Sequence, residues 1–345
     1  MTSVVLSFSQ HANQLATHFN NTQNDRFLKD PQNRLPLRHI SIKTIDKKSI
    51  SNIYPRSILY DYANGTGHLD PFVYFENHEP IEAAETISTG PKITKNEHNP
   101  CFWSDFAEVS YKPEYILTNP QYNYDPETFE SIGKSGSGSF MTHQQGIDAF
   151  THISAFNHAS DEVIRKLLED SDTVSNLNSL VNLETGWSGV CTETLRQVID
   201  DHFNGHGTYV TVWSIQKSNK DLNIDKISKI VDFANLNVAA TVQFNSDMIG
   251  TPYERTKKYA VPFDFVANSD NVDTVFNQLT NGLPKFVDYI SVHEENLGIF
   301  KEGEGQILSS VKVKSSETGL DEEATLAITS SLKDDFKRII TCNIT

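Results

Sequence analysis

Residues 177–215 read LNSLVNLETGWSGVCTETLRQVIDDHFNGHGTYVTVWSI. This stretch predicts a strand at Leu177–Leu183, a glycine-bearing loop at Glu184–Gly189, a helix from Val190 to Phe203 and a second strand from Thr208. A strand, a helix and a strand in close succession are typical of a parallel α/β sheet. A helix that follows such a loop presents unpaired N–H groups and the positive end of its dipole, which suits an anion such as phosphate.

Trp187 conflicts with a simple phosphate loop. Glycine is the residue that lets a backbone approach a phosphate, because it has no Cβ in the way. An indole at this position would fill the phosphate space and bury apolar surface there. The segment therefore predicts a nucleotide-type frame whose phosphate contacts are altered.

Composition limits the classes of function. The chain has 345 residues, enough for two domains, and its Asp and Glu (45) outnumber its Lys and Arg (29) to give a net charge of -16. Nucleic-acid binding needs concentrated basic residues, so we do not expect it. The hydrophobic content of 37% supports a folded core.

The cysteines and the apolar runs bear on the compartment. Cys101, Cys191 and Cys342 are odd in number and far apart, which favours a reducing environment over a disulfide framework. The apolar runs fall short of the roughly 20 residues that span a bilayer, so we expect no transmembrane segment. Arg26 is the first basic residue, and we therefore do not expect a cleaved mitochondrial presequence.

The same patterns divide the rest of the chain. We expect a parallel α/β domain over residues 1–222, with long surface loops at 80–138, and a helix plus a smaller α+β domain over 223–345. The expected strands are Ser3–Phe8, Ser57–Tyr60, Ile307–Leu308 and Val311–Val313, and the expected helices are Gln10–Phe19, Asp161–Glu169, Ile224–Phe233 and Leu332–Thr341.

Three short motifs are weak evidence for a phosphate or metal site. Gly133-Lys134-Ser135 resembles the end of a P-loop, but the earlier glycine and the preceding strand are missing, so a surface loop is the better interpretation. His202 and His206 have a zinc-like spacing, but Gly205 lies between them and no third ligand is indicated. His293-Glu294 lacks the second histidine of a metalloprotease. We predict no metal site.

The stronger candidates for ligand contacts are Gln10, Asn13 and Asp61. Each follows a predicted strand, and ligands of parallel α/β sheets gather at the carboxyl ends of strands. The alternatives remain open: Asp61 can simply begin a turn, and Gln10 and Asn13 can serve as ordinary polar residues at a helix start.

Seven blocks of sequence resemble the Misato family of tubulin-like proteins, whose fungal members serve mitochondrial inheritance. They begin with a segment like the first strand and first nucleotide loop of tubulin, and they cover roughly Val4 to Ile215. The blocks are residues 4–14 (VVLSFSQHANQ), 17–23 (THFNNTQ), 54–61 (YPRSILYD), 65–67 (GTG), 102–106 (FWSDF), 168–172 (LEDSD) and 186–190 (GWSGV).

The resemblance implies a tubulin-like parallel sheet flanked by helices, followed by a smaller, reduced C-terminal α+β domain. It also implies a degenerate nucleotide site, for which GTP is the candidate cofactor. The residues that match that site are Gln10, Asn13, Asp61, Gly186, Trp187, Ser188 and Gly189.

This chain departs from the family pattern at three further places. Ala12 replaces a glycine, Ala63 stands where a second acidic residue is expected, and residues 235–240 offer no acidic residue of the kind that assists GTP hydrolysis from the next subunit. We therefore assign no catalytic residue, because phosphoryl transfer depends on positioned carboxylates, metal and phosphate contacts.

The resemblance implies a non-enzymatic, tubulin-like protein required for mitochondrial distribution, partitioning and mitochondrial DNA inheritance. Its expected locations are the outer surface of the mitochondrion and the cytoplasm, and its expected partners are other proteins, such as a chaperonin or mitochondrial-surface factors. One alternative is a GTP-binding, filament-forming tubulin-like GTPase. Another is a metabolic α/β enzyme that uses a different nucleotide, although no spacing of residues in the sequence identifies its nucleophile.

Overall fold

The structure is a computed structural model that describes most of the N-terminal two-thirds of the chain and separate strands of the remainder. The described residues are 2–32, 36–45, 50–69, 100–134, 138–152, 154–171, 173–203, 208–217, 232, 236, 240–246, 250–268, 289–293, 306–314, 323–330 and 338–344.

Strands and helices alternate through the N-terminal part. In chain order the elements are β1 (Thr2–Phe8), α1 (Gln10–Lys29), β2 (Ile40–Ile45), β3 (Ile50–Pro55), β4 (Ser57–Tyr62), β5 (Ile116–Asn119), β6 (Tyr122–Asp125), β7 (Glu130–Gly133), α2 (His143–His152), α3 (Ser154–Glu169), β8 (Val174–Asn182), α4 (Trp187–Val198), β9 (Tyr209–Lys217), β10 (Ala240–Ser246), α5 (Pro252–Ala267), β11 (Tyr289–His293), β12 (Gln306–Lys314), β13 (Glu323–Ser330) and β14 (Arg338–Ile344).

The central feature is a six-stranded sheet in the order β10-β9-β8-β1-β4-β5. Every neighbouring pair in it is parallel. The predicted parallel α/β fold is therefore confirmed. Because all six strands run the same way, their carboxyl ends meet at one edge, where ligands of such sheets bind.

Helices cover both faces of the sheet, so its strands are apolar on both sides. Successive side chains of β1 point to opposite faces: Val5 belongs to a core cluster with α1 and α5, whereas Val4 and Leu6 belong to a cluster with α3 and α4. Leu6, Phe8 and Leu180 are fully buried. These continuous apolar strands position the polar residues that follow them.

The helix α5 is fixed at its start and along its length. Thr251 and Glu254 form a capping box, in which each side chain accepts a hydrogen bond from the other residue's backbone N–H. Further along, the two carboxylate oxygens of Asp264 accept hydrogen bonds from Nη1 and Nη2 of Arg26 on α1, each at 2.7 Å. This paired contact, which is almost fully buried, attaches α5 to α1.

The C-terminal strands form a second sheet in the order β11-β14-β13-β12, with β11 and β14 parallel and the other pairs antiparallel. The predicted strands around residues 307–313 lie within β12. The predicted helix at Leu332–Thr341 is wrong, because Arg338–Ile344 forms β14 and pairs with two neighbours. Its Ile-Ile-Thr run favours a strand once partners are present.

The remaining predictions concern the loops, one helix, the domain boundary and membrane-spanning segments. Residues 80–138 are not only loops, since β5, β6 and β7 lie there. The predicted helix Ile224–Phe233 falls outside the described residues apart from Asp232. The large sheet takes β10 from beyond residue 222, and the division of the chain into two domains at that point stays a prediction. Within the described part of the chain, no helix combines the length and the apolar character needed to cross a membrane.

Candidate functional site

A cavity of about 340 Å³ lies at the carboxyl edge of the six-stranded sheet. This is the edge at which the sequence predicts a ligand, and the volume falls at the lower end of the range for small-molecule pockets. The described residues that line it are Ser9, Gln10, His11, Tyr62, Tyr124, Thr128, Phe129, Glu130, Ser131, Met141, Asn182, Glu184, Thr185, Ile215, Gly250, Pro252, Arg255, Thr256 and Tyr259.

Beside the cavity, four side chains form what we call the Asp61 cluster: Gln10, Asn13, Asp61 and Trp103. The Asp61 Oδ2 atom accepts hydrogen bonds from Gln10 Nε2 at 2.8 Å, Asn13 Nδ2 at 2.9 Å and Trp103 Nε1 at 2.8 Å. The Oδ1 atom accepts one from the Tyr62 backbone N–H at 2.7 Å. Asp61 is fully buried. Its oxygens are therefore engaged with protein donors.

Burial of Asp61 works against its negative charge. Desolvation raises the pKa of the carboxyl from 3.8 to about 7, and the four donated hydrogen bonds oppose this rise. The turn after β4 is fitted closely around the same carboxyl: a Cβ added to Gly65 would lie 2.1 Å from Asp61 Oδ1. The Gly65 carbonyl also accepts a hydrogen bond from Gln10 Nε2. Asp61 thus holds together the end of β4, the start of α1 and the turn.

Three backbone N–H groups at the start of α4 are also occupied. Gly186 N donates to the Phe140 carbonyl at 3.0 Å, Ser188 N to the Thr185 carbonyl at 3.1 Å and Gly189 N to the Gly186 carbonyl at 3.0 Å. None of Gly186, Ser188 and Gly189 is among the described residues that line the cavity. These donors serve the loop itself.

Two glycines explain the glycine-bearing segment. A Cβ on Gly189 would lie 2.1 Å from the His143 carbonyl oxygen, and one on Gly146 would lie 1.7 Å from the Gly186 carbonyl oxygen. The helices α2 and α4 therefore touch backbone to backbone. The glycines are required by helix packing rather than by access to a phosphate.

Trp187 lies in the core and does not line the cavity. Its fully buried indole contacts Tyr62 and Phe140 edge to face, with ring centroids 5.3 and 5.5 Å apart. That the indole fills the phosphate space stays a prediction. The indole packs against the Tyr62 ring, and Tyr62 lines the cavity.

A hydrogen-bonded chain that the sequence did not reveal joins α4, α2 and Asp232. Ser188 Oγ lies 3.0 Å from His143 Nδ1, and His143 Nε2 lies 2.8 Å from Asp232 Oδ2. The order of the groups resembles a catalytic triad. However, Ser188 is fully buried, its hydroxyl donates to the Thr185 carbonyl at 2.9 Å, and it lies outside the cavity lining. These hydrogen bonds position the helices; they do not position Ser188 as a nucleophile.

The charged lining of the cavity is not that of a polyphosphate site. Among the described lining residues, Glu130 and Glu184 are acidic and Arg255 is the one guanidinium. Triphosphate sites ordinarily combine several N–H donors and cations with a carboxylate that holds magnesium. Asp61 and the amides of residues 186, 188 and 189 are already bonded within the protein. The predicted residues therefore do not form a cradle that fits magnesium and a triphosphate.

The seven predicted site residues separate into three groups. Gln10 lines the cavity and joins the Asp61 cluster. Asn13 and Asp61 lie behind the lining, and residues 186–189 lie at the contact of α4 with α2 and the core. Their role as ligand contacts stays a prediction. No group of three metal-binding side chains is assembled among the residues that the structure describes.

Comparison with known families gives two matches that overlap in the chain. The family described as "Misato Segment II tubulin-like domain" matches residues 3–112, and the family described as "Tubulin domain" matches residues 91–261. Together they cover residues 3–261, which hold nearly all of the six-stranded sheet and the first part of α5. The tubulin-like fold expected from the sequence is confirmed.

Fungal proteins named Protein DML1 are similar to this chain over most of the same region. The protein of Debaryomyces hansenii is 26% identical over 264 residues, which cover 70% of this chain and 56% of that protein. Those of Scheffersomyces stipitis and Candida albicans are 25% and 24% identical, covering 61% and 58% of this chain and 48% and 44% of their own lengths. The chain thus spans about half the length of the curated relatives it matches.

These matches agree with the ordered sequence blocks and with the parallel sheet. The two family matches lie in the order that the blocks predict, and the first is specific to one branch of tubulin-like proteins. The matches to Misato and tubulin domains and the similarity to fungal DML1 proteins support a member of the Misato family of tubulin-like proteins.

Proposed function

We propose that this chain is a non-enzymatic, tubulin-like protein that acts in the distribution and partitioning of mitochondria and in the inheritance of mitochondrial DNA. Resemblance to the Misato family supports the biological role, because fungal members of that family serve mitochondrial inheritance. The proposed locations are the mitochondrial surface and the cytoplasm. The proposed partners are other proteins, such as a chaperonin or factors at that surface.

The observation that carries the non-enzymatic part is the state of the Asp61 carboxylate. It accepts four hydrogen bonds inside the protein, three of them from side chains. Phosphoryl transfer in nucleotide-hydrolysing proteins depends on metal and on positioned donors around the phosphates. A carboxylate that already fixes the fold is poorly suited to exchange these bonds for a magnesium shell.

Turnover of GTP tests this part directly. We expect the purified chain with magnesium and GTP to release phosphate no faster than a sample without protein. Asp61→Ala is unsuitable as the inactive control, since loss of its hydrogen bonds would disturb the fold. Glu184→Gln and Glu130→Gln are better, because both carboxylates line the cavity outside the Asp61 cluster. Protein-dependent phosphate release that falls in either variant would contradict the proposal.

Depletion in the source cells tests the biological role. We expect daughter cells to inherit fewer mitochondrial DNA nucleoids and clustered mitochondria, with rescue by the wild-type gene. Rescue by Glu184→Gln is also expected, because this variant alters the cavity and leaves the Asp61 cluster intact. Unchanged nucleoid number and organelle distribution after depletion would refute the role.

A GTP-binding, filament-forming protein is the second candidate. The cavity at the carboxyl edge of a tubulin-like sheet favours it, because one predicted nucleotide contact, Gln10, does line that cavity. It predicts GTP-dependent sedimentation of the purified chain. We expect no difference in sedimentation with and without GTP.

A further inference from the structure

Two buried histidines lie at the contact between α1 and α5, one near each end of α5. His18 on α1 faces the start of α5, where its Nε2 atom lies 3.2 Å from the Tyr253 carbonyl oxygen. His39, which precedes β2, packs edge to face on the Phe19 ring of α1 and interacts with Asn268, the residue that ends α5. Imidazole is the side chain whose charge changes between neutral and mildly acidic pH, so the charge state of both rings bears on this contact.

Aromatic rings enclose His18. Its ring centroid lies 4.5 Å from that of Phe106 and 4.9 Å from that of Tyr253. Burial is the largest cause that lowers the pKa of His18 from 6.5 to about 3. The Tyr253 carbonyl opposes this change, and the charge of Lys257 on α5 adds to it. In the closed contact, His18 is therefore a neutral ring that donates one hydrogen bond.

His39 is the more isolated of the two rings. Neither of its nitrogens has a hydrogen bond of normal geometry to the residues that the structure describes, although the Asn268 amide lies beside the ring. Burial is the largest cause that lowers the pKa of His39 from 6.5 to about 3, and the Asn268 side chain partly opposes it. The remaining causes also lower the pKa and are the charges of three arginines: Arg38, Arg26 and Arg56. A proton on His39 would be a buried charge among cations.

An ion pair and apolar packing join α1 to α5 between the two histidines. Asp264 on α5 accepts hydrogen bonds from Arg26 at 2.7 Å and from Gln23 Nε2 at 2.6 Å. Phe263 packs on Phe19, with ring centroids 4.8 Å apart. Among the described groups that act on either histidine, every ionised one is a cation. A proton at either end of α5 therefore meets no compensating negative charge.

The Asp61 cluster responds to acid in the opposite direction. Burial raises the pKa of Asp61 to about 7, so a lower pH favours its buried, protonated form. The pKa values of His18 and His39 are lowered, so the contribution of the α1–α5 contact is complete above about pH 6.5 and is lost as the pH falls to about 3. Acid thus loosens α5 and leaves the start of α1 bonded to the end of β4.

We propose that the contact between α1 and α5 is an acid-sensitive clamp: uptake of protons by His18 and His39 separates α5 from α1 while the six-stranded sheet stays folded. Separation of α5 opens the cavity on one side, because part of the cavity lining lies on this helix. The lining residues on α5 are Pro252, Arg255, Thr256 and Tyr259. This inference goes beyond the proposed function, which requires no response to pH.

The tryptophans distinguish separation of α5 from global unfolding. Trp213 on β9 packs on Phe263 of α5, with ring centroids 5.1 Å apart, whereas Trp187 lies in the core cluster on the opposite face of the sheet. With fluorotryptophan in the full chain, fluorine NMR from about pH 7 to about pH 3 should show the Trp213 ring becoming exposed to solvent at a higher pH than the Trp187 ring. Simultaneous exposure of both rings would overturn the proposal, as would a Trp213 ring that stays buried throughout.

Variants that cannot take up the proton identify the groups responsible. His18→Gln keeps an N–H donor for the Tyr253 carbonyl, and His39→Phe keeps a ring against Phe19. Each histidine should contribute about tenfold per pH unit to the equilibrium constant for exposure of Trp213, between its lowered pKa and its ordinary one. Each variant should reduce the pH dependence by that factor, because all carboxyl groups stay the same.

His152→Gln is the matched control, because His152 is exposed on α2. It should keep the pH dependence of the wild type. An unchanged dependence in folded His18→Gln and His39→Phe proteins would overturn the assignment to these two histidines. The comparison of Trp213 with Trp187 in the wild type needs no substitution of a histidine, so it decides the question if a variant does not fold.

Discussion

The Asp61 cluster and the cavity lie side by side at the same sheet edge, share Gln10, and differ in almost every physical respect. The cluster is buried, and its carboxylate accepts four hydrogen bonds. The cavity is open, contains two strained residues and is lined by rings and acidic groups. Asp61 and Asn13, which resemble residues of a nucleotide site, are therefore bonded within the protein, and the cavity lies next to them.

This difference shows that a motif can persist for structural reasons. Gln10, Asn13 and Asp61 match family positions that approach a nucleotide, yet their side chains here bond to one another and to the backbone of β4. Removing any of them would leave buried partners without hydrogen bonds. Motif identity alone would have assigned them to ligand binding.

Asp61→Ala should have the largest effect, since it leaves four buried donors without an acceptor. We expect the free energy of unfolding to fall by about 3–5 kcal/mol, as for loss of one partner from a buried charged network. Chemical denaturation followed by circular dichroism measures this change. Asp25→Ala, at a 56% exposed side chain on α1, should change stability by no more than about 0.5 kcal/mol. A small effect at Asp61 would show that the cluster is not structural.

The pH dependence of stability should carry the signature of the same carboxyl. Its pKa rises from the ordinary aspartate value of 3.8 to about 7 in the folded chain, so the folded state binds the proton more tightly. The contribution of Asp61 to stability is complete below about pH 4 and is lost as the pH rises to about 7, at up to about 1.4 kcal/mol per unit.

Denaturation of the wild type and of Asp61→Asn over this pH range isolates the contribution, because the amide does not titrate. The wild type should lose stability relative to the variant as pH rises. A difference that grows in favour of the wild type would mean that the four donors outweigh burial and hold the carboxyl ionised.

Gly146→Ala should have the next largest effect, at the contact between α2 and α4. Its Cβ would lie 1.7 Å from the Gly186 carbonyl oxygen, so the helices must separate, at a cost of about 1–3 kcal/mol. Gln144→Ala, on the exposed side of the same helix, should stay within about 0.5 kcal/mol. Denaturation midpoints distinguish the two variants. A stable Gly146→Ala protein that gained GTP binding would instead connect the glycines to phosphate access.

Sequence patterns predicted the sheet because its strands are strongly apolar on both faces. Periodicity located β1, β4, β8 and β9 and parts of α1, α3 and α4, since each pattern reports burial of its own element. It failed at Arg338–Ile344, where a short apolar run forms a strand through pairing with β11 and β13. Pairing partners far away in sequence are not visible in a local pattern.

The site was harder to predict than the sheet, because its chemistry depends on which groups meet. Asp61 and Trp103 are 42 positions apart, and no local signal shows that the indole N–H reaches the carboxylate. Gly189 reads as a phosphate-loop glycine in sequence, whereas its neighbour in space is the His143 carbonyl. His143 and Phe129 carried no motif at all. Backbone strain at Phe129 is a property of the folded turn.

Ser9→Gly should have the smallest effect on the free energy of unfolding, and it should raise it. This variant tests the backbone strain at the cavity. Ser9 caps α1, accepting a hydrogen bond from the Ala12 N–H at 3.3 Å, but its φ of 107° is a glycine-type conformation. Glycine costs only a few tenths of a kcal/mol at a helix N-cap, while relief of strain is worth about 1–3 kcal/mol. A net gain of about 1 kcal/mol is expected in the free energy of unfolding.

Ser9→Ala is the matched control for this gain, since it removes the same hydroxyl and keeps the strain. We expect it to lower stability by about 1 kcal/mol. If Ser9→Gly and Ser9→Ala lose stability equally, the hydroxyl alone matters at this position, and the cavity wall stores no strain there. If only the glycine variant gains stability, the wall of the cavity is held against its own backbone preference while the Asp61 cluster beside it is fully bonded. The two regions would then differ in backbone strain: the wall of the cavity would be strained, and the Asp61 cluster would not.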